Sequence, residues 1–458
     1  MKLALIGGGG VRAPEFVRGA LAFAADLDLQ ELWLMDVERG RLDLMEPLCQ
    51  QIVDQAGKPF RLHATTDLDE ALRDAGTVVT TVRVGFEHGR VLDERIALRH
   101  NVLGQETTGA GGFSMALRSI PAIIQIMERV EALAPRAWTF NFTNPAGLVA
   151  QALLQAGFRR VVGICDSANT AQHEIAAYLG KPVDAVKTEV FGLNHLSWTR
   201  RAMVGGRNVL PGLLSDPKFY ASTHLRFFDT DVVTRIGMFL NEYLYYFYYR
   251  DLAVERIQAE ELTRGEEVEL LNRQLFDTLR ATPTDGLLAV YDAYNRRRNA
   301  SYMAYAETDD ALREQRSHPD AQTTSVHIQQ SEVGGYAGVA LRTALALTQD
   351  RPIRIGLNVP NDGAIDGMRD DDVVEVTCEV DGTGIHPLRI GSVPEGPYLL
   401  MRTVKHYERL AVAAVLARDR RLAVEALVAH PLVGSYQLAQ TLVDDYLEAH
   451  RDYVGDWP

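Results

Sequence analysis

Short apolar runs alternate with helix-like segments over the first 165 residues, and this alternation limits the fold more than any other feature of the chain. The runs are KLALIG (2–7), ELWLMD (31–36), FRLHAT (60–65), TVVTTVRV (77–84), AWTFNF (137–142) and RVVGIC (160–165). Runs of this length, bounded by helical stretches, predict a doubly wound parallel α/β sheet of Rossmann type. Ligands of such sheets bind outside the carboxyl ends of the strands. The residues expected there are Gly8, Asp36, Arg83, Asn144 and Cys165. A thiol and a carboxylate, Cys165 and Asp166, thus stand side by side on the ligand rim.

The rest of the chain reads differently. Residues 210 to 320 are helical and aromatic in pattern, with a polar stretch at 307–324. Strand-like runs return at PIRIGLNV (352–359) and VVEVTCEV (373–380), before two amphipathic helices near 400–450. At 458 residues the chain exceeds what one core usually organises. The expected division is a nucleotide-binding domain over 1–165 and an α+β domain for catalysis and oligomerisation over 166–458, closely packed.

Composition excludes several classes. A net charge of −14 disfavours nucleic acid and anionic membrane surfaces as partners. No stretch has the roughly 18 uninterrupted apolar residues of a membrane span. The opening MKLALIGGGG runs from five apolar residues into glycine, which reads as a first strand and not as a signal peptide. Three cysteines without CxxC spacing argue against a disulfide framework, and a reducing cytoplasmic setting is expected.

Four motifs carry chemistry. From Gly8, GGGGVRA (7–13) has the form G-x-G-x-x-A, with Gly8 and Gly10 set for close approach to a pyrophosphate. Asp36 ends the second run, where a carboxylate favours the ribose of NAD+ over its 2′-phosphorylated form. Cys165, in GICDSAN, and His195, in FGLNHLSW, both fall where strand-like runs end. Packing is the ordinary role of a lone Cys or His, but together they suit a metal with open positions for substrate oxygens. GMFLNEYLYYFYYR (237–250) places Tyr243 and Tyr246 on one helical face with Phe239 next along it, as core, interface or a phenolic base. Arg83, Arg90, Arg95 and Arg118, flanking the glycine-rich GQETTGAGG (104–112), suit a phosphate or carboxylate, or internal pairing with Asp93 and Glu94.

In this order VRVGFEHGRVLDER, GQETTGAGGFSMALRSIP, FNFTNPAGLV, GICDSAN and GLNHLSW resemble glycoside hydrolase family 4, particularly its 6-phospho-β-glucosidase branch. The likeness continues through NEYLYYFYY, LNVPNDG, VKHYERLAVAA and ALVAHPLV, over nearly the whole chain. It implies a lactate/malate dehydrogenase-like fold, bound NAD+ and a divalent metal, commonly Mn2+. It also implies a redox-elimination route: oxidation of the sugar at C3, loss of the C2 proton, expulsion of the aglycone from C1, addition of water, and return of the hydride. Carried over residue by residue, Cys165 and His195 match the metal ligands and Tyr243 the catalytic tyrosine, with Tyr246 in reserve. Gly8, Gly10, Asp36 and Arg83 match cofactor contacts, and Asn144, Arg90, Arg95, Glu106 and Asn194 match substrate contacts. The partner implied is a small glycoside, expected to be phosphorylated, acted on by a homodimer or homotetramer.

Departures from the family pattern bear on specificity. Asp166 stands where the β branch usually has Asn and the α branch has Asp, which suggests a general acid. Arg12 replaces a tyrosine, and Val333, in EVGGYAG, stands where an Arg is common. An α-linked or unphosphorylated substrate, a plain dehydrogenase and a non-catalytic NAD-binding sensor are the alternatives at this stage.

Overall fold

The computed structural model describes residues 1–307 and 335–457. Val333 and most of the polar stretch expected at 307–324 lie outside them. All six expected strands form: β1 (Lys2–Ile6), β2 (Glu31–Met35), β3 (Arg61–Thr65), β4 (Thr77–Thr80), β5 (Trp138–Asn141) and β6 (Val161–Gly163). They are mutually parallel in the order β3-β2-β1-β4-β5-β6. This is the doubly wound order that reverses between β1 and β4, where such sheets bind dinucleotides. Helices α1 (Ala13–Phe23), α2 (Arg39–Gln55), α3 (Leu68–Leu72), α4 (Phe86–Arg99), α5 (Gly109–Leu133) and α6 (Ala146–Gln155) follow in turn. The central strands β1, β4 and β5 are buried on both faces, as parallel strands under helices require, while β3 at the edge is partly exposed.

The later strands divide. A hairpin of β7 (Val186–Leu193) and β8 (Leu196–Val204), with short partners β9 (Arg207–Asn208) and β10 (Phe239–Leu240), makes a second sheet. Strands β11 (Ile353–Pro360), β12 (Val373–Asp381) and β13 (Gly384–Pro387) return to the first sheet and extend it antiparallel beyond β6, through the pair Asn358 and Gly163. The division expected after residue 165 therefore falls inside one continuous nine-stranded sheet.

Two other expectations change. The aromatic stretch is not one helix. The Asn241 side chain accepts the Tyr243 amide at 3.0 Å, starting a single 3-10 turn between strand β10 and the short helix Tyr245–Tyr248. Phe239 consequently lies on a strand, while the Tyr243 and Tyr246 rings remain neighbours at 6.1 Å. Over residues 395–449 three helices form instead of two, Glu395–Ala417, Arg420–Ala429 and Tyr436–Ala449, and a single turn, Arg451–Val454, follows. Arg418 turns left-handed at φ +53° and Asp419 caps the next helix by accepting the amides of Arg421 and Leu422, which separates the first two.

Among the described residues one helix, α5, is long and apolar enough to cross a membrane, yet 72% of its most apolar window is buried within the fold. Its Arg118 makes a two-pronged pair with Asp93 of α4, Nη1 to Oδ1 at 2.9 Å and Nη2 to Oδ2 at 2.7 Å. Both side chains are fully buried. His450 Nε2 completes the group 2.8 Å from Asp93 Oδ1. Arg118 is therefore a structural cation, not a ligand-binding one. Burial alone would raise the Asp93 carboxyl, but the charge of Arg118 and the hydrogen bond from His450 hold it below its usual range. Removing one member of a buried pair strands the other charge, so Arg118→Ala is expected to cost about 3–5 kcal/mol in urea unfolding. Because the Asp93 carboxyl is depressed on folding, its contribution is complete above the unfolded carboxylate pKa and is lost as pH falls through the lower folded value.

Candidate active site

The loop after β1 meets a dense environment. A Cβ on Gly8 would lie 2.7 Å from Leu34 Cα, and one on Gly9 2.9 Å from Asp36 Oδ2, so only bare backbone fits between the first two strands. This is the close approach a dinucleotide pyrophosphate requires, with Gly10 opening toward α1. Asp36 stands at the end of β2, where Oδ2 accepts from the Gly9 amide at 3.0 Å and Oδ1 from the Glu38 amide at 3.1 Å. Each carboxylate oxygen retains a lone pair for a ribose hydroxyl. Burial nevertheless pushes this carboxyl above its ordinary value. These residues fit NAD+.

Cys165 leaves the end of β6, and His195 sits at the tip of the β7–β8 hairpin. His195 is held left-handed at φ +62° at the hairpin tip, a conformation that costs a non-glycine residue about 1–3 kcal/mol. Gly192 makes the hairpin possible, because a Cβ there would stand 2.3 Å from the Leu196 carbonyl oxygen. Cys165 Sγ and His195 Nε2 end 3.4 Å apart, and Ser167 Oγ lies 3.1 Å from the sulfur. Burial drives the imidazole down to about 3, leaving it neutral with a free lone pair. Burial, then the charge of Asp166, drives the thiol well above its ordinary value. Among the described residues no cluster of three or more His, Cys, Asp or Glu side chains completes a metal shell. A thiolate and an imidazole with open positions fit a divalent ion that takes further ligands from substrate.

Around this corner the polar groups sort clearly. The Tyr243 ring stacks on His195 at 3.7 Å with 6° between planes, and its hydroxyl accepts a hydrogen bond from Tyr302 at 2.7 Å. Tyr246 instead bonds Tyr305, so Tyr243 is the phenol at the metal corner. Burial, then the charge of Glu242, raises the Tyr243 hydroxyl well above its ordinary value. Arg83 and Arg90 converge on Glu106 Oε2 at 2.7 and 3.3 Å. Burial opposes that carboxylate's charge, but Arg83 and Arg90 outweigh it and hold Glu106 far below its usual range. Arg12 leans over the Phe142 and Tyr336 rings at 5.6 and 6.0 Å and makes no ion pair among the described residues. Asn144 and Asp166 are half-buried on the same rim. Asn194, next to His195, donates to Glu375 Oε1 at 3.1 Å.

Arg95 does not join them. It is half-exposed on α4 with its guanidinium taken by Glu266, Nε to Oε1 at 2.7 Å, because that carboxylate caps the adjoining helix Arg264–Ala281 within reach. Sequence reasoning also missed Tyr302, Tyr305 and Glu375. The tyrosine pair repeats the three-residue spacing of Tyr243 and Tyr246, and Glu375 is a carboxylate inside the otherwise apolar VVEVTCEV. Burial lifts Glu375 to about 7 despite its hydrogen bonds to Asn194, Ser197 and Asn358.

A parallel sheet with a glycine-lined dinucleotide loop, carrying a thiol–imidazole corner and a stacked phenol, defines a class of nucleotide-dependent enzymes that also use a metal. The chain belongs to glycosyl hydrolase family 4: residues 2–181 match the family 4 glycosyl hydrolase domain and residues 190–433 its C-terminal domain. It is 31% identical to the Escherichia coli 6-phospho-β-glucosidase over 474 residues, covering 100% of this chain and 97% of the relative. The structure of the Thermotoga maritima 6-phospho-β-glucosidase with NAD and glucose 6-phosphate superposes with a TM-score of 0.83 at 27% identity over 99% of both chains. A second structure of that enzyme, which also holds manganese, gives 0.81 at 26% identity over 99% of both chains. Malate dehydrogenase of Plasmodium falciparum shares the fold alone, with a TM-score of 0.52 at 12% identity over 91% of this chain and 99% of its own.

Since only the thiolate binds metal and the buried Cys165 is protonated in its absence, loading with Mn2+ is expected to release one proton. Calorimetry in two buffers of different ionisation enthalpy measures it. Affinity should rise about tenfold per pH unit while the pH stays below the thiol's value.

Proposed function

We propose that this chain is a 6-phospho-β-glucosidase that works with NAD+ and Mn2+. The observation that carries this reading is the Tyr243 phenol stacked on a metal-type Cys165–His195 corner at the carboxyl edge of a dinucleotide-type sheet. When bound, NAD+ supplies reversible hydride acceptance from the sugar and Mn2+ supplies Lewis-acid stabilisation of negative charge on its oxygens.

The chain's own residues do the rest. The Gly8–Gly10 loop and Asp36 hold the cofactor, with Arg83 at the neighbouring strand end, and Cys165 and His195 hold the ion. Tyr243 takes the C2 proton. Its buried hydroxyl is too basic to be ionised unaided, so positive charge at the adjacent corner is what makes it a base near neutral pH. Asp166, one residue from the metal thiolate and half-exposed to the rim, protonates the leaving oxygen. Asn144 and Asn194 orient sugar hydroxyls, and Arg90 with Glu106 fixes the floor of the site. Arg12, which makes no direct ion pair among the described residues, meets the 6-phosphate in place of groups common elsewhere in the family. Three buried free thiols favour a reducing, cytoplasmic setting, and the chain acts as a homodimer or homotetramer.

The direct test is nitrophenol release from 4-nitrophenyl β-glucoside 6-phosphate by reduced protein. Release that requires both NAD+ and Mn2+, with no accumulation of NADH, is the expected result. Steady NADH production would instead indicate a plain dehydrogenase. Tyr243→Phe should lower kcat by about 10²–10⁴-fold, the range for a lost general base. Asp166→Asn should slow a poorly activated alkyl glycoside much more than the nitrophenyl one, and equal effects would remove Asp166 from the acid role. Arg12→Ala should raise KM for the phosphorylated substrate about tenfold or more, as for a lost charged hydrogen bond, with little change for the unphosphorylated glucoside.

A further inference from the structure

Beside His195 lies a small, partly open cleft with about 20 Å³ of room for water. Its polar lining comes from four separate parts of the chain: Thr107 before α5, the Asn194–His195 turn, Tyr407 and Glu408 on the helix Glu395–Ala417, and His430. Four buried polar atoms of these residues have no hydrogen-bond partner among the described residues: His195 Nδ1, Asn194 Oδ1, Thr107 Oγ1 and Tyr407 Oη. Glu408 Oε2, on the same wall, is ion-paired with the fully buried Lys405 and keeps a lone pair for a further donor. One unsatisfied buried polar atom is ordinary, but four on the walls of one cleft are not.

Their chemistry is complementary. With Nε2 turned to the metal position, His195 carries its proton on Nδ1 and must donate. Tyr407 and Thr107 are hydroxyl donors, whereas Asn194 Oδ1 and Glu408 Oε2 can only accept. A water accepts two hydrogen bonds and gives two, so it can satisfy the imidazole, one hydroxyl and both acceptors together.

We propose that this cleft is a buried water site through which Glu408, with Tyr407 and Thr107, orients His195 and strengthens it as a metal ligand. Glu408 and Tyr407 are thus positioning residues that act on the ion through water and imidazole. The proposal rests on the reading of His195 as a ligand, and it gives the VKHYE segment, remote in sequence from both ligands, a task at the metal. Partners of this kind typically contribute 10–100-fold to metal affinity.

The test is the Mn2+ dissociation constant of the NAD+-loaded protein, measured by calorimetry for wild type, Tyr407→Phe and Glu408→Gln, alongside Tm. Glu408→Gln is expected to weaken Mn2+ about tenfold or more and Tyr407→Phe several-fold, each with cooperative unfolding retained. Tyr407→Phe keeps the ring that packs against His430 at 4.4 Å, so it remains informative if loss of the Lys405 pair unfolds the other variant. A Tyr407→Phe protein with unchanged Mn2+ affinity and equal or higher Tm would mean a dry cleft and would overturn the proposal. A crystal structure with Mn2+ is expected to show water bonded to both His195 Nδ1 and Glu408, and its absence there counts equally against it. Failure of the wild type to bind Mn2+ overturns the metal reading itself and this inference with it.

Discussion

The 3.4 Å contact between Cys165 and His195 is the point on which the catalytic half of the molecule depends. Neither residue's own element can make it. The thiol is delivered by the last parallel strand, and the imidazole by a hairpin of a different sheet. Thr377 of β12 joins the two by accepting the Val190 amide at 2.9 Å and donating to the Thr188 carbonyl at 3.2 Å. Since β12 belongs to the antiparallel extension, strands supplied late in the chain set the geometry of a site whose cofactor loop lies at residue 7.

Around that contact the site is expensive to charge. The thiol is raised, the imidazole is lowered, Tyr243 is raised, and the carboxyls of Glu242 and Glu375 are lifted to about 7, each chiefly by burial. Glu106, gripped by Arg83 and Arg90, is by contrast held firmly ionised. Low solvation of this kind magnifies any added charge. A divalent ion and a nicotinamide cation entering here would therefore shift every neighbouring proton equilibrium, which couples loading of the site to its chemistry.

Much of this was legible in the residues. Alternating apolar runs fixed the parallel sheet because buried strands must be continuous and apolar, and the strand ends then located Gly8, Asp36, Arg83, Asn144 and Cys165 on one rim. The motif residue His195 lies against Cys165, and the Tyr243 ring stacks on its imidazole. Less accessible were features decided by contacts between distant segments. Nothing in PIRIGLNV distinguishes a strand of a second domain from one that pairs with Gly163. The charge count near α4 could not say that Arg118 would be captured by Asp93 and Arg95 by Glu266, since pairing depends on which helix faces which. The aromatic run misled because one hydrogen bond, donated by the Tyr243 amide to the Asn241 side chain, starts a turn where periodicity supported a helix.

The buried trio of Asp93, Arg118 and His450 carries a consequence for biogenesis. Asp93 and Arg118 lie on the two helices that flank the Glu106 loop, but their third partner is 332 positions beyond Arg118 in the chain. During vectorial synthesis those helices emerge early, with a buried ion pair short of one hydrogen bond until residue 450 has left the ribosome. The last helical segment is thus a keystone set after the arch, and a chain shortened before His450 leaves the loop that cradles Glu106 resting on an incomplete core.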